Sequence, residues 1–221
     1  MTSTSESANP CTLGTGIVGT GLSVAFDDRP VFSGVDIAVP HGSITGVIGP
    51  SGRGKTTLLR ALAGLVSLTS GSVDYDGRPR PAKQSIAMLA QHPRQVCNPR
   101  WTLSRIIAEP ARVRDRREVV DIDGLADRVG LAPQLLDRFP AQVSDGQLQR
   151  ACLARVLVQD PEYVLCDEPT AMLDPIAARS VVALLSELAG AGVAVLLVSH
   201  HHTLVRDRCS SVLDLGAELD N

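Results

Sequence analysis

The run Gly49-Pro50-Ser51-Gly52-Arg53-Gly54-Lys55-Thr56-Thr57 has the residue types and spacing of a loop that wraps backbone N–H groups around nucleotide phosphates. The glycines let the main chain approach an anion closely. Lys55 supplies a point charge for the β- and γ-phosphates, and Thr56 can place its hydroxyl on Mg²⁺. Of the 21 basic residues only Lys55 and Lys83 are lysines, so Lys55 does not come from a common local background. Downstream, Asp167 and Glu168 directly follow the apolar run Tyr163-Val164-Leu165-Cys166. One carboxylate so placed can hold the Mg²⁺ shell while the other orients or deprotonates an attacking water. Between these two groups, Ser144-Asp145-Gly146-Gln147 opens an apolar helical stretch.

The elements that must position these groups follow from the apolar pattern. Ser43 to Ile48 reads as a buried strand and Lys55 to Gly64 as a helix, so phosphate would meet a helix N-terminus. Two β-like runs, Ile17 to Phe26 and Val31 to Val39, are separated by the turn-like Asp27-Asp28-Arg29-Pro30. A hairpin is expected around Gly71 to Gly77 and a strand at Ser85 to Gln91. From about residue 92 to 158 prolines and charged stretches such as Arg112 to Val129 indicate an inserted helical subdomain. The chain then returns to alternation: a helix to Val158, a strand at Tyr163 to Cys166, a helix over Ile176 to Ala189 and a strand at Val193 to Ser199. The strands are apolar throughout, as parallel strands covered on both faces are. Residues 1–16 carry too little apolar material to order themselves and are expected to form a disordered tail. The folded domain is expected over residues 17–216, with 217–221 a short tail.

At 221 residues with a net charge of −3 and few aromatic side chains, the composition argues against nucleic acid as the partner. No apolar run reaches the roughly 18 to 20 residues that a membrane-spanning helix needs, and Met1 to Asn9 lacks the basic and apolar segments of a secretory signal. A cytosolic setting is expected. Cys11 follows no apolar stretch that would suit lipid attachment. The five cysteines, Cys11, Cys97, Cys152, Cys166 and Cys209, show no metal-ligand spacing and read as reduced core thiols. Adjacent histidines at 200, 201 and 202 would diverge at a strand end, which is a poor ligand pattern.

Taken in order, the phosphate loop, Val143-Ser144-Asp145-Gly146-Gln147 and the Asp167-Glu168 strand end resemble the ATP-binding cassette (ABC) ATPases, over about residues 17 to 216. That family's signature is Leu-Ser-Gly-Gly-Gln followed by a helix. The resemblance implies an α/β fold: a P-loop NTPase core, an N-terminal antiparallel β subdomain and an inserted α-helical subdomain. It implies ATP and Mg²⁺ as cofactors, with Thr56, Gln91 and Asp167 toward the metal. Two cassettes then dimerise head to tail, each ATP lying between one subunit's phosphate loop and the other's Ser144, Gly146 and Gln147. By the same resemblance Gln91 reaches Mg²⁺ and the water, Phe26 stacks on adenine, Ala171-Met172-Leu173-Asp174 contacts the opposite subunit, and His200 contacts the γ-phosphate. Glu168, His200, Lys55 and Gln91 form the expected catalytic set. Asp145 departs from the signature, and its carboxylate is expected to face away from the site because like charge would oppose phosphate there.

The stretch Gln91-His92-Pro93 to Asn98-Pro99, with Glu109-Pro110 beyond it, resembles the oligopeptide, dipeptide and nickel uptake branch. The helical insert of that family docks a short helix of the permease. The chain's brevity past Ser210 to Leu215 favours nickel or metal-chelate members. The expectation is an ATP-hydrolysing subunit at the cytoplasmic face of the membrane, paired with a second, unlike cassette (an identical one being the alternative), with a transmembrane permease and, indirectly, an external binding protein. Rival readings are a soluble cassette ATPase acting on DNA or ribosomes, an exporter subunit, and a regulatory module without catalysis. Net acidity and the lack of a tandem cassette oppose the first, the insert opposes the second, and Glu168 with His200 opposes the third.

Overall fold

The computed structural model of the protein describes residues 16–114, 120–171 and 173–218. The expectations about the N-terminal tail, Cys11 and Met172 lie outside them. Strands β1 (Gly16–Phe26) and β2 (Arg29–Pro40) pair antiparallel around a turn of only two residues, Asp27 and Asp28, both at positive φ (49° and 62°). Paired positive-φ residues match the twist of a tight hairpin, so Arg29 and Pro30 already belong to β2 rather than to the turn. Pro30 is tolerated because β2 is an edge strand.

Strand β3 (Ile44–Ile48) leads through the phosphate loop into helix α1 (Lys55–Leu62). Of the hairpin expected around Gly71 to Gly77, only a tight turn at Asp76-Gly77 forms, closed by reciprocal backbone hydrogen bonds between Tyr75 and Arg78. Instead β4 (Ser70–Tyr75) pairs antiparallel with β1, giving a three-stranded sheet of order β2-β1-β4, and Tyr75 meets Arg78 in a single bridge. The apolar residues of β1 offered β4 a longer ladder than a local hairpin could.

After β5 (Ile86–Leu89) come the insert helices α2 (Pro93–Val96), α3 (Leu103–Val113), α4 (Ile122–Arg128) and α5 (Asp145–Gln159). The charged stretch from Arg112 to Val129 holds the end of one helix and the whole of the next. Helix α3 ends at Val113, and Asp121 starts α4 by accepting the Gly124 N–H. Strand β6 (Tyr163–Asp167), helix α6 (Pro175–Gly190), strand β7 (Ala194–Val198), helix α7 (His202–Arg208), strand β8 (Ser211–Asp214) and helix α8 (Leu215–Glu218) complete the described chain. These strands form a parallel sheet of order β5-β6-β7-β3-β8.

Alternation along the buried strands divides the core into two layers. Tyr163 and Leu165 of β6, with Ala194, Leu196 and Val198 of β7, pack with α1 and the antiparallel sheet. Val164 and Cys166, with Val195 and Leu197, pack with α3, α5 and α6. Each of these side chains is at most 1% exposed. Burial of a residue of that size contributes about 1.5–3 kcal/mol, so the sheet holds the loops at its strand ends against a rigid floor. Among the described residues no helix is long and apolar enough to cross a membrane.

Candidate functional site: the phosphate loop and its partners

Helix α1 begins at Lys55 with Gly54 as its cap at φ +84°. A Cβ at Gly54 would lie 2.7 Å from Val31 Cγ1, so glycine is needed both for the backbone and for the approach of β2. That contact sets the β1–β2 hairpin, and with it Phe26, beside the loop. Phe26 is 53% exposed and borders a cavity with Asp27, Arg29, Pro30 and Val31. Such exposure for an aromatic ring suits a stacking platform rather than core.

Lys55 is buried, and its Nζ donates to the carbonyl oxygens of Gly49 (2.8 Å) and Pro50 (2.9 Å). The ammonium is thus held in the curve of the loop, satisfied by oxygen acceptors that a phosphate oxygen can replace. Thr56 Oγ1 donates to Asp167 Oδ2 at 2.8 Å. A hydroxyl and a carboxylate form an all-oxygen donor pair, which fits a hard cation such as Mg²⁺ carrying nucleotide phosphates and waters.

Glu168 follows the end of β6 at φ +47°, a strained conformation for a residue with a side chain, secured by its N–H on the Val198 carbonyl (3.0 Å). Both carboxylate oxygens are engaged. Gln91 Nε2 donates to Oε2 at 3.0 Å, and His200 Nε2 lies 2.5 Å from Oε1. His200 also borders a cavity of about 460 Å³ with Gly49, Pro50 and Arg53, which places it beside the phosphate loop. His201 and His202 are exposed, and the His201 N–H donates to Ser199 Oγ. The structure therefore brings Lys55, Thr56, Gln91, Asp167, Glu168 and His200 to one end of the parallel sheet. A carboxylate flanked by a proton-capable imidazole and an amide donor can take a proton from water once one oxygen is released.

Ser144, Gly146 and Gln147 lie elsewhere. With Asp145, Leu173 and Asp174 they border a separate cavity of about 400 Å³ that includes no phosphate-loop residue. Ser144 Oγ accepts the Gln147 N–H (3.2 Å) while Gln147 Oε1 accepts the Ser144 N–H (2.9 Å), a reciprocal cap on α5 worth about 1 kcal/mol. The sequence reading did not single out this cap; the Ser144-to-Gln147 spacing is the signal that could have found it. Asp174 caps α6 by accepting the Ile176 and Ala177 N–H groups, and the Ala177 bond foremost holds its carboxyl below the ordinary aspartate range. Asp145 turns its carboxylate toward α2, in line with the expectation that it faces away from the site. It borders the signature cavity, its carboxylate paired with Arg94 at 2.5 Å, because an exposed anion there finds a cation on α2. Arg94 was not singled out from the sequence; the signal that could have found it is a cation shortly after Gln91 matching a carboxylate in the signature.

The scattered cysteines also converge in part. Cys97 Sγ and Cys152 Sγ are 3.5 Å apart in the core of the insert, both as free thiols.

Comparison with known proteins identifies several similar transport ATP-binding proteins. The oligopeptide transport ATP-binding protein OppF of Salmonella typhimurium is 36% identical over 195 residues, which cover 81% of this chain and 58% of OppF. The chain thus spans little more than half the length of that relative. The nickel import ATP-binding protein NikE of Rhodospirillum rubrum is 34% identical over 201 residues, covering 85% of this chain and 73% of NikE. The glutamate transport protein GluA of Corynebacterium glutamicum is 33% identical, covering 88% of this chain and 84% of its own. A solved ATP-binding subunit of an ABC transporter superposes with a TM-score of 0.81 at 23% identity, covering 92% of this chain and 87% of that one, and so shares the fold. Residues 32–171 match the family model for ABC transporters, and on that match the chain belongs to the ABC transporter family.

Proposed function

We propose that the chain is the ATP-binding and hydrolysing subunit of an ABC importer, powering uptake of peptides or of nickel and other metal chelates through a membrane permease. The observation that carries this reading is Glu168, held by Gln91 and His200 at the strand end beside the Thr56–Asp167 pair. Lys55 exchanges its carbonyl acceptors for β- and γ-phosphate oxygens, and Phe26 receives the adenine. Thr56, Asp167 and Gln91 are the residues that would hold Mg²⁺, which supplies charge neutralisation at the phosphates. Glu168 accepts the proton of the attacking water after Gln91 turns toward the nucleotide, and His200 donates to the γ-phosphate.

The separation of Ser144, Gly146 and Gln147 from the phosphate loop supports a site completed by a second cassette. Each nucleotide would be closed in by the other subunit's signature, and cleavage would release the two halves. An unlike second subunit is the arrangement we favour over an identical one. A cavity of about 370 Å³ between β5, α1, α2 and α5, bordered by Arg60, Leu65, Met88, Val96 and Cys152, supports docking of a permease helix on the insert. Leu65 and Val96 are 68% and 53% exposed there, as apolar side chains awaiting a partner are. The protein would then sit peripherally at the cytoplasmic face of the membrane.

The relatives named for oligopeptide transport and nickel import, together with the segment after Gln91, support the peptide or nickel cargo. Relatives named for methionine import and glutamate transport match at 36% and 33% identity, so the cargo must be read by experiment. The test is to purify the full chain with its permease and binding protein and measure ATP turnover with peptide or with chelated nickel. Stimulation by one of them is expected. Stimulation by neither would overturn the cargo assignment, and association with nucleic acid or ribosomes in place of a permease would overturn the importer.

A further inference from the structure

Helix α2 starts two residues beyond Gln91 and carries one side chain that reaches the signature site. Arg94 makes three directed contacts there: Nε to Asp145 Oδ1 at 2.5 Å, Nη1 to the Pro140 carbonyl at 2.6 Å and Nη2 to the Val143 carbonyl at 2.7 Å. The planar guanidinium thus spans the loop that leads into α5 and ends on its first residue. A second contact, Cys97 to Cys152, fixes the other end of α2 against α5.

Asp145 is a costly residue in this place. It is the first residue of α5, flanked by Ser144 and Gly146, and it borders the cavity that those residues line. A carboxylate at a helix N-terminus is attracted to the same N–H groups that would receive a phosphate, and its charge repels that phosphate. Arg94 answers both difficulties, since it neutralises the carboxylate and draws it toward α2.

We propose that Arg94 is a positioning residue for ATP turnover, keeping the Asp145 carboxylate off the anion-accepting face of the signature and tying that face to the segment behind Gln91. A residue pair unlike the family's Gly-Gly signature thereby leaves the site competent. The inference rests on the reading that this signature receives the nucleotide of a second cassette.

The test compares Arg94→Ala, Asp145→Gly and the double variant in the full chain within its assembled complex. Steady-state kcat and KM for MgATP are measured together with binding of a fluorescent ATP analogue to the phosphate loop under non-turnover conditions. Loss of the arginine uncovers one charge beside a bound anion, so Arg94→Ala is expected to raise KM about tenfold while binding at the phosphate loop stays unchanged. Asp145→Gly should stay within about twofold of the parent, and the double variant should recover to within about threefold, because no carboxylate is left to repel. Arg94→Lys, which keeps the charge but not the three-way geometry, should fall between, with a KM that rises with salt.

A wild-type KM in Arg94→Ala, or a double variant as impaired as Arg94→Ala, would overturn the proposal. If Arg94→Ala melts early, Arg94→Gln and Arg94→Gln/Asp145→Asn, which keep the bulk of both side chains, carry the same comparison. Ser144→Arg separates the premises. Undiminished turnover in that variant would overturn the two-cassette reading and this inference with it, whereas lost turnover beside an unaffected Arg94→Ala would overturn this inference alone.

Discussion

Replacing Asp76 should loosen the join between the two sheets. Asp76 follows β4 at φ +51°, and its carboxylate accepts from three elements at once. Oδ1 takes the Gly16 N–H at 2.6 Å, while Oδ2 takes His41 Nε2 at 2.9 Å and the hydroxyl of Tyr163. Tyr163 is fully buried at the start of β6, so its hydroxyl would be left without that acceptor. Two of these bonds, valued at the low end of about 1.5 kcal/mol each because the carboxylate keeps some solvent, sum to about 3 kcal/mol. Alanine at positive φ adds about 1 kcal/mol. Asp76→Ala should therefore cost about 4 kcal/mol and lower Tm by roughly 8–16 °C for a domain of this size.

Asp76→Asn keeps the backbone preference and one acceptor and should cost about half as much. The effect has a definite pH dependence. Burial alone would raise the Asp76 carboxyl, but the hydrogen bonds from His41, Tyr163 and Gly16 outweigh it and hold the group below its ordinary value of 3.8. A depressed pKa means stability that is present above the unfolded value and lost as pH falls through the folded one. The Tm gap between parent and Asp76→Asn should accordingly shrink as pH falls below about 4, read by scanning calorimetry. A gap in Asp76→Ala below about 2 °C at pH 7, or an Asp76→Asn gap that does not shrink as pH falls from about 4, would refute the reasoning.

Glu168→Gln removes the proton acceptor but keeps the shape that Gln91 and His200 hold; ATP turnover should fall about 10²–10⁴-fold with nucleotide binding retained, and unchanged turnover would exclude Glu168 as the base. Gly46 lies in central strand β3, where an added Cβ would come 2.4 Å from Val205 Cγ1 and 3.0 Å from Cys209 Sγ. Gly46→Ala should cost about 1–3 kcal/mol in a thermal melt, and a neutral effect would mean that α7 is not packed on β3 as described. The hydrogen bond from Cys152 and the nearby Arg155 hold the Cys97 thiol below the ordinary range despite its burial, whereas that same bond and burial push Cys152 up. Diamide should thus join the two sulfurs, which give up two protons and two electrons as the reagent is reduced to the hydrazine. An intact-mass loss of about 2 Da absent from Cys97→Ser is the readout, and labelling of only one thiol would contradict the contact.

Much of the candidate site was legible because its signals are local. Glycine spacing, a lysine and a threonine announce the phosphate loop, and an apolar run ending in two carboxylates announces the strand end, each within fewer than ten residues. Strands β6 and β7 declared themselves as buried by apolar runs, β7 throughout and β6 up to Asp167 at its end. Less was visible where a residue's role depends on what lies across from it. The run at Ser70 to Tyr75 fits a hairpin as well as a third strand, and only the free edge of β1 decided between them. Helix α7, short and opening on His202, carried too little apolar periodicity to stand out.

Residue types and their local order determined a glycine-rich loop around Lys55 with the composition of a phosphate site, two acids at the end of a buried strand and a Ser144 side chain at the start of α5. Tertiary structure alone decided which donor meets which acceptor. Gln91 and Glu168 are 77 positions apart, Arg94 and Asp145 51, and Asp76 and Tyr163 87. The reason is physical: helix and strand periods reach only a few residues along the chain. Pairing across the fold is set by the close packing of two sheets and an insert, and no local pattern encodes that packing.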